Sequence, residues 1–348
     1  MYSLMQEPFG KIYRYNKLAQ LRDERFLDAI YIPSLASRNV SDQLVNSLLQ
    51  FSKEIVFIYS NEVGCFSSSD SSFVRTIKIS EHSAFLNAYS SKEANSNIAV
   101  EWRSDFDIPH KRSFALKEAR ERNYKYILML DDDLHISRDN ILCARQALND
   151  GVSVVGFHVV DYPDVSTIDH LERIVLNRSN TISMTGSCMF INVEAVEGDF
   201  SNIYNEDLFF FLSQRNIDDV VSGGCIFQNK SDPWLDLKRV KHEQFGDLIY
   251  DAFKKQFLAK KHEKINWSKE IEERIIRINK IQNNTNDRFI RLSLNEAIIA
   301  LNSIKVPDIT RFIVESYLPR WIKDLCIYDD PISNESFERI KEVSYVKN

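Results

Sequence analysis

The 348 residues are 44% apolar and 27% charged, an ordinary globular composition long enough for about two domains and for a core that needs no disulfides. Lys and Arg total 44 against 50 Asp and Glu, and a net charge of -6 argues against nucleic acid as a partner. Only 9 glycines occur, which disfavours a glycine-rich phosphate loop, and GxxxxGK[ST], GxGxxG and GxSxG are all missing.

The five cysteines, Cys65, Cys143, Cys188, Cys225 and Cys326, are scattered and form no CxxC pair. That pattern fits a reduced, cytoplasmic chain better than a disulfide framework or a zinc site. Met1 to Asn16 lacks the apolar stretch of a signal peptide. The longest apolar runs, such as Tyr126 to Leu130 and Leu208 to Leu212, fall far short of the roughly 18 residues that span a bilayer. The expectation is a cytoplasmic protein whose only membrane association is peripheral.

In chain order, residues 1–25 read as an N-terminal segment. Ala29 to Ile32 is a short β-rich run ending at Pro33-Ser34. Val45, Leu48 and Leu49 then recur at helical spacing behind Ser41, a candidate cap. Glu54 to Tyr59 is the next strand, ending in Ser60-Asn61-Glu62, and Val74 to Ile79 is a third. Lys111 to Arg122 reads as a helix with Phe114, Leu116 and Ala119 on its buried side, leading into a strand at Tyr126 to Leu130. Continuously apolar strands alternating with helices indicate an α/β fold, a mainly parallel sheet covered on both faces. Ligands of such sheets bind beyond the carboxyl ends of the strands. After Asp247 four helical patterns follow, Asp247 to Lys261, Trp267 to Ile281, Asp287 to Ile304 and Asp308 to Ile327. The expected division is a catalytic domain over 26–247 and a helical C-terminal extension over 248–348.

The strand Tyr126 to Leu130 ends in Asp131-Asp132-Asp133. In an extended chain residues i and i+2 point the same way, so Asp131 and Asp133 can converge while Asp132 faces elsewhere. Unpaired carboxylates that converge repel, and a bound divalent cation relieves the conflict; Mg²⁺ commonly takes one or two carboxylates together with phosphate oxygens and waters. The plainer alternative is a solvated acidic turn capping the helix that starts near Ser137 or Asp139. Further on, Asn205-Glu206-Asp207 opens an apolar helix, where Asn205 suits an N-cap and early acids favour the helix dipole.

Taken in order, Lys111-Arg112-Ser113-Phe114-Ala115-Leu116-Lys117, the strand into Asp131 to Asp133, and Asp139 resemble the GT-A glycosyltransferases. The likeness is to the family-2-like nucleotide-sugar enzymes with a DxD motif, and it spans about Ala29 to Asp247. It implies a Rossmann-like GT-A fold and Mn²⁺ or Mg²⁺ as cofactor. Asp131 and Asp133 match the DxD positions, Asp133 being the direct metal ligand, with Asp132 near the ribose or sugar. Arg112 matches the arginine that approaches the donor diphosphate. Glu206 and Asp207 match the family's second acidic pair, Asp207 being the base that takes the acceptor hydroxyl's proton. His242 stands where some members add a metal ligand. Met184 to Phe190, a small-residue turn leading into a strand, matches the floor of the acceptor pocket or is simply a tight turn before a core strand. Pro33, Ser34 and Asn61 are the expected nucleotide contacts. Asn61 stands where members often carry an Asp, which leaves the nucleotide open, with UDP-sugars slightly favoured.

The activity implied is a metal-dependent, inverting transfer of sugar from a nucleotide-sugar to an acceptor hydroxyl, on a glycan or a lipid-linked acceptor, in surface polysaccharide or glycoconjugate synthesis. The alternatives are a sugar nucleotidyltransferase, disfavoured because Pro33 to Arg38 holds no glycine, and a non-catalytic interaction protein on the same fold. Near the C-terminus, Phe312, Ile313, Leu318, Arg320, Trp321 and Lys323 suit either an amphipathic membrane-contact surface or helical packing, on the catalytic domain or in a homo-oligomer.

Overall fold

The computed structural model describes residues 11–13, 25–34, 42–59, 71–79, 108–160, 166–178, 184–228, 232–259, 263–316, 318 and 323. Its strands are β1 (Lys11–Ile12), β2 (Leu27–Ser34), β3 (Ser52–Tyr59), β4 (Val74–Lys78), β5 (Tyr126–Leu130), β6 (Leu134–His135), β7 (Val154–Val159), β8 (Met184–Asn192) and β9 (Val220–Gln228). Its α-helices among the described residues are α1 (Asp42–Leu48), α2 (Ile108–Glu121), α3 (Arg138–Asn149), α4 (Thr167–Leu176), α5 (Glu206–Ser213), α6 (Leu237–Ala259), α7 (Trp267–Asn283), α8 (Arg288–Ser303) and α9 (Val306–Glu315).

The sheet runs in the order β1-β9-β7-β8-β5-β2-β3-β4, with β6 paired to β9. β2 lies parallel to both β3 and β5, β3 to β4, and β9 to both β7 and β1. β8 is inverted, running antiparallel to β5 and β7, and β6 is antiparallel to β9. The result is the expected α/β architecture with a mainly parallel sheet.

Alternation along the buried strands divides the core. Ile30, Ile32, Leu128 and Leu130 face one side, where Leu48 of α1 and Ile141 and Ala144 of α3 cover them. Ala29, Tyr31, Ile127 and Met129 face the other, against Phe114 and Ala119 of α2 and the C-terminal helices. Two covered faces explain why these strands are apolar throughout rather than alternating with polar residues.

The helix starts follow local chemistry. Ser137 caps α3 in a reciprocal box with Asn140, and Asp287 caps α8 by accepting from the backbone N–H groups of Phe289 and Ile290. α6 begins ten residues before the helical pattern expected from Asp247 and passes straight through that residue. A single hydrophobic cluster runs from the sheet through α5 and α6 to α9. In it Phe312 packs edge-on against Phe209 and Phe245, with ring centroids 5.3 and 5.9 Å apart. Phe312, Ile313 and Leu318 are therefore core residues, exposed by 2%, 0% and 4%, and form no membrane-facing surface. The apolar stripe of α9 is spent on the phenylalanines beneath it. Trp321 and Arg320 lie outside the described residues.

Candidate functional site

Strand order reverses at β2: β3 and β4 continue to one side of it and β5 lies on the other. The crevice outside the carboxyl ends of β2 and β5 is thus a topological switch point, the place where open α/β sheets hold ligands. Pro33 and Ser34 close β2, both buried, and Asp131 follows β5. Because β8 is inverted, its first residues lie beside the end of β5, and Asp131 donates its backbone N–H to the Ser187 carbonyl at 2.8 Å.

The chain leaves the strand at Asp131 and turns at Asp132 and Asp133. The strict alternation of an extended chain therefore stops before it can aim these side chains. Asp131 Oδ1 accepts from Arg112 Nη2 at 3.0 Å. Asp132 Oδ2 accepts from Ser34 Oγ at 2.9 Å, joining the ends of β2 and β5. Asp133 Oδ1 accepts from Gln228 Nε2 at 3.1 Å. Ser137, not an aspartate, caps the following helix, so the acidic turn is not a capping device. Burial pushes the Asp131 carboxyl up to about 6; the charges of Asp133 and Asp132 add to this rise, and Arg112 opposes it.

Arg112 lies in the first turn and a half of α2, 4% exposed, and its Nη1 donates to Glu206 Oε1 at 2.6 Å. The guanidinium thus bridges the end of β5 and the start of α5. Burial works against its charge, but Asp131, Glu206 and Asp207 outweigh that and hold it more firmly protonated than a free arginine. Burial lifts Glu206 to about 7, Asp207 adding to the shift and Arg112 opposing it.

Asp207 is anchored by backbone groups. Its Oδ2 accepts from the Gly186 N–H at 2.5 Å and its Oδ1 from the Leu208 N–H at 2.8 Å. Each carboxylate oxygen offers two acceptor positions, so one on each remains beyond these bonds. The Gly186 segment is not a turn leading into a strand, as its small residues suggested; it belongs to β8 from Met184 onward. A side chain at 186 would collide with Asp207, because a Cβ there would lie 2.3 Å from Asp207 Cβ. Asn205 departs from its expected role. It takes a left-handed conformation (φ 66°) and its side chain makes no cap bond, donating instead to Asp247 Oδ1 at 2.7 Å.

Lys111 has no role in the sequence reading, yet its side chain is wholly buried at the crevice and its Nζ donates to the Ser34 carbonyl at 2.8 Å. Its spacing from Phe114 and Ala115 was the available signal, since i+3 and i+4 place it on the buried face of α2. Gln228 carried no comparable signal. Asn61 lies outside the described residues. His242 is on α6, and among the described residues no group of three or more His, Cys, Asp or Glu side chains could hold a metal ion. Asp131, Asp133 and His242 therefore do not form a ready three-ligand set. The partly exposed aspartate turn does suit a hard cation held by one or two carboxylates, its other positions filled by phosphate oxygens and water.

Among the described residues no helix is long and apolar enough to cross a membrane. No family model matches the chain, and no curated protein does. A solved structure, a candidate nucleotide-diphospho-sugar transferase of Desulfovibrio desulfuricans G20, is similar at 8% identity over 59% of this chain and 82% of its own, with a TM-score of 0.32.

Proposed function

We propose that this chain is a glycosyltransferase that takes a sugar from a nucleotide-sugar donor and passes it to an acceptor hydroxyl with inversion. The observation that carries the reading is the gathering of Arg112, Asp131, Glu206 and Asp207 at the switch point of a parallel sheet. Perturbed ionisable groups in a crevice are the usual mark of a catalytic site, and a buried charge cluster is poor value as a stabilising device.

In this reading the nucleoside lies over the end of β2, where Ser34 and Asp132 offer polar contacts. Arg112 supplies fixed positive charge beside the diphosphate, where negative charge grows as the glycosidic bond breaks. Its bonds to Asp131 and Glu206 keep it in place, so little reorganisation accompanies the reaction. Asp131 and Asp133 would hold Mg²⁺ or Mn²⁺, which adds Lewis-acid stabilisation of the leaving group. Asp207 accepts the proton of the acceptor hydroxyl as that oxygen attacks the anomeric carbon. Its bonds from Gly186 and Leu208 keep the base from wandering.

The test is incubation with a panel of nucleotide-sugars, with Mn²⁺ and with EDTA. Metal-dependent release of nucleoside diphosphate supports the proposal. Pyrophosphate formed from a sugar phosphate and a nucleoside triphosphate would instead assign a nucleotidyltransferase, and silence across the panel a binding protein.

A further inference from the structure

The two acids that open α5 are fixed from one side by Arg112 and Gly186. Their other fixing point is the dipeptide just before them, Tyr204-Asn205, which the long helix α6 grips at three places. Arg239 Nη2 donates to the Tyr204 hydroxyl at 3.0 Å and its guanidinium lies over the ring, 5.7 Å from the centroid. Gly246 approaches the backbone so closely that a Cβ would fall 2.1 Å from the Tyr204 carbonyl oxygen. Asp247, the next residue, receives the Asn205 side-chain amide at 2.7 Å.

Asp247 is 2% exposed, and it is tied onward to a helix that the site itself does not touch. Its Oδ2 accepts from Arg274 Nη2 at 2.7 Å. Arg274, 5% exposed, spends its other nitrogens on Gln244 Oε1 at 3.1 Å and Asp251 Oδ2 at 2.5 Å. All of its nitrogens are therefore committed, and the chain Asn205, Asp247, Arg274 has no slack. Asn205 itself sits at φ 66°, a conformation that L-residues adopt at a cost and that Asn tolerates best. Its carbonyl accepts the Phe209 N–H that starts the helix, while its side chain, free to cap, is drawn away to Asp247.

We propose that Asn205, Asp247 and Arg274 are positioning residues, which fix where α5 begins and thereby hold Asp207 on Gly186 and Glu206 on Arg112. The C-terminal helices are then a support of the site rather than an appended unit. The catalytic consequence rests on reading Asp207 as the base; the positional claim does not.

The test uses Asn205→Gly, which removes the side-chain bond while keeping a residue at ease at positive φ. Asp247→Asn, which keeps shape and removes charge, serves if that variant fails to fold. Glycine-selective ¹⁵N labelling leaves 9 sites to follow in the parent, with the new Gly at 205 as one more in the variant, and the Gly186 N–H reports its bond to Asp207 without any substrate. We expect hydrogen exchange at Gly186 to accelerate about tenfold or more while the other glycines keep their rates. Transfer kinetics should show kcat falling about tenfold or more with donor KM within about twofold. The control is Asp28→Asn, at the opposite end of β2, where Asp28 accepts from Lys53 and from the backbone of Lys125 and Tyr126. Unchanged exchange at Gly186 in Asn205→Gly overturns the proposal whatever the activity, as does equal acceleration in the Asp28→Asn control. If the parent protein transfers no sugar at all, the enzymatic reading fails and the Gly186 rate alone decides this one.

Discussion

The backbone N–H of Gly186 donates to Asp207 Oδ2, and the two residues touch so closely that a Cβ at 186 would lie 2.3 Å from Asp207 Cβ and 2.9 Å from Arg112 Nη1. Strand β8 thus serves as a seat for the first turn of α5. A seat this tight fits only glycine, although no unusual backbone angle is involved.

Gly186→Ala should therefore displace Asp207 and Arg112 together. Misplacing a reacting group by about 1 Å can cost on the order of a hundredfold in rate. We expect kcat to fall by about that factor in a protein whose circular dichroism remains native. Steady-state kinetics beside a spectrum settle it, and wild-type kcat would remove the close contact from the argument.

Asp207→Asn keeps the shape of the side chain and one of its two acceptors of backbone N–H groups, but removes the base. Turnover should drop by about 10²–10⁴ while donor affinity, measured by calorimetry, stays near that of the parent. Weakened donor binding with normal kcat would move Asp207 from proton transfer to donor contact.

Asp131→Ala and Asp133→Ala should both lower Mn²⁺ affinity, titrated directly in the presence of a nucleoside diphosphate. Asp133→Ala gives up the bond that Gln228 donates to this carboxylate. Asp131→Ala also strips Arg112 of one counter-charge and should lower the melting temperature as well. Equal Mn²⁺ affinity in all three proteins would dismiss the aspartate turn as a cation site.

Away from the site, Glu118 on α2 accepts from Arg75 Nη1 at 2.7 Å and from the Tyr31 hydroxyl at 3.0 Å. Burial would raise its carboxyl, but these partners outweigh it and hold the group below its ordinary 4.5. A carboxyl depressed in the folded state adds stability that is complete above the unfolded value and disappears as pH falls through the folded one. Glu118→Gln should thus cost roughly 1–3 kcal/mol at pH 7, with the gap to the parent closing below about pH 4.5. Urea titrations at neutral and acid pH give both quantities; a gap that widens in acid contradicts the assignment.

Much of this molecule was legible before any coordinates. The strands at Leu27–Ser34, Ser52–Tyr59 and Tyr126–Leu130 announce themselves as apolar runs, and α7 and α8 by their helical period. Such signals lie between neighbours along the chain, where side-chain spacing alone decides which face is buried. The parallel sheet, the helices on both faces and the acids at the end of β5 follow from them.

What needed the tertiary structure was partnership. Arg112 and Glu206 are 94 residues apart, and nothing in the spacing of either predicts that one guanidinium will bridge Glu206 and Asp131. Local chemistry marks Asn205 as a helix cap, yet a buried carboxylate 42 residues on, compensated by Arg274, takes its amide instead. By pattern Phe312 suits a membrane-contact surface or helical packing, and only Phe209 and Phe245 beneath it decide between them. Hydrophobic periodicity says that a face is buried; only register and close approach say against what, and the charge of the candidate site is set by those distant neighbours.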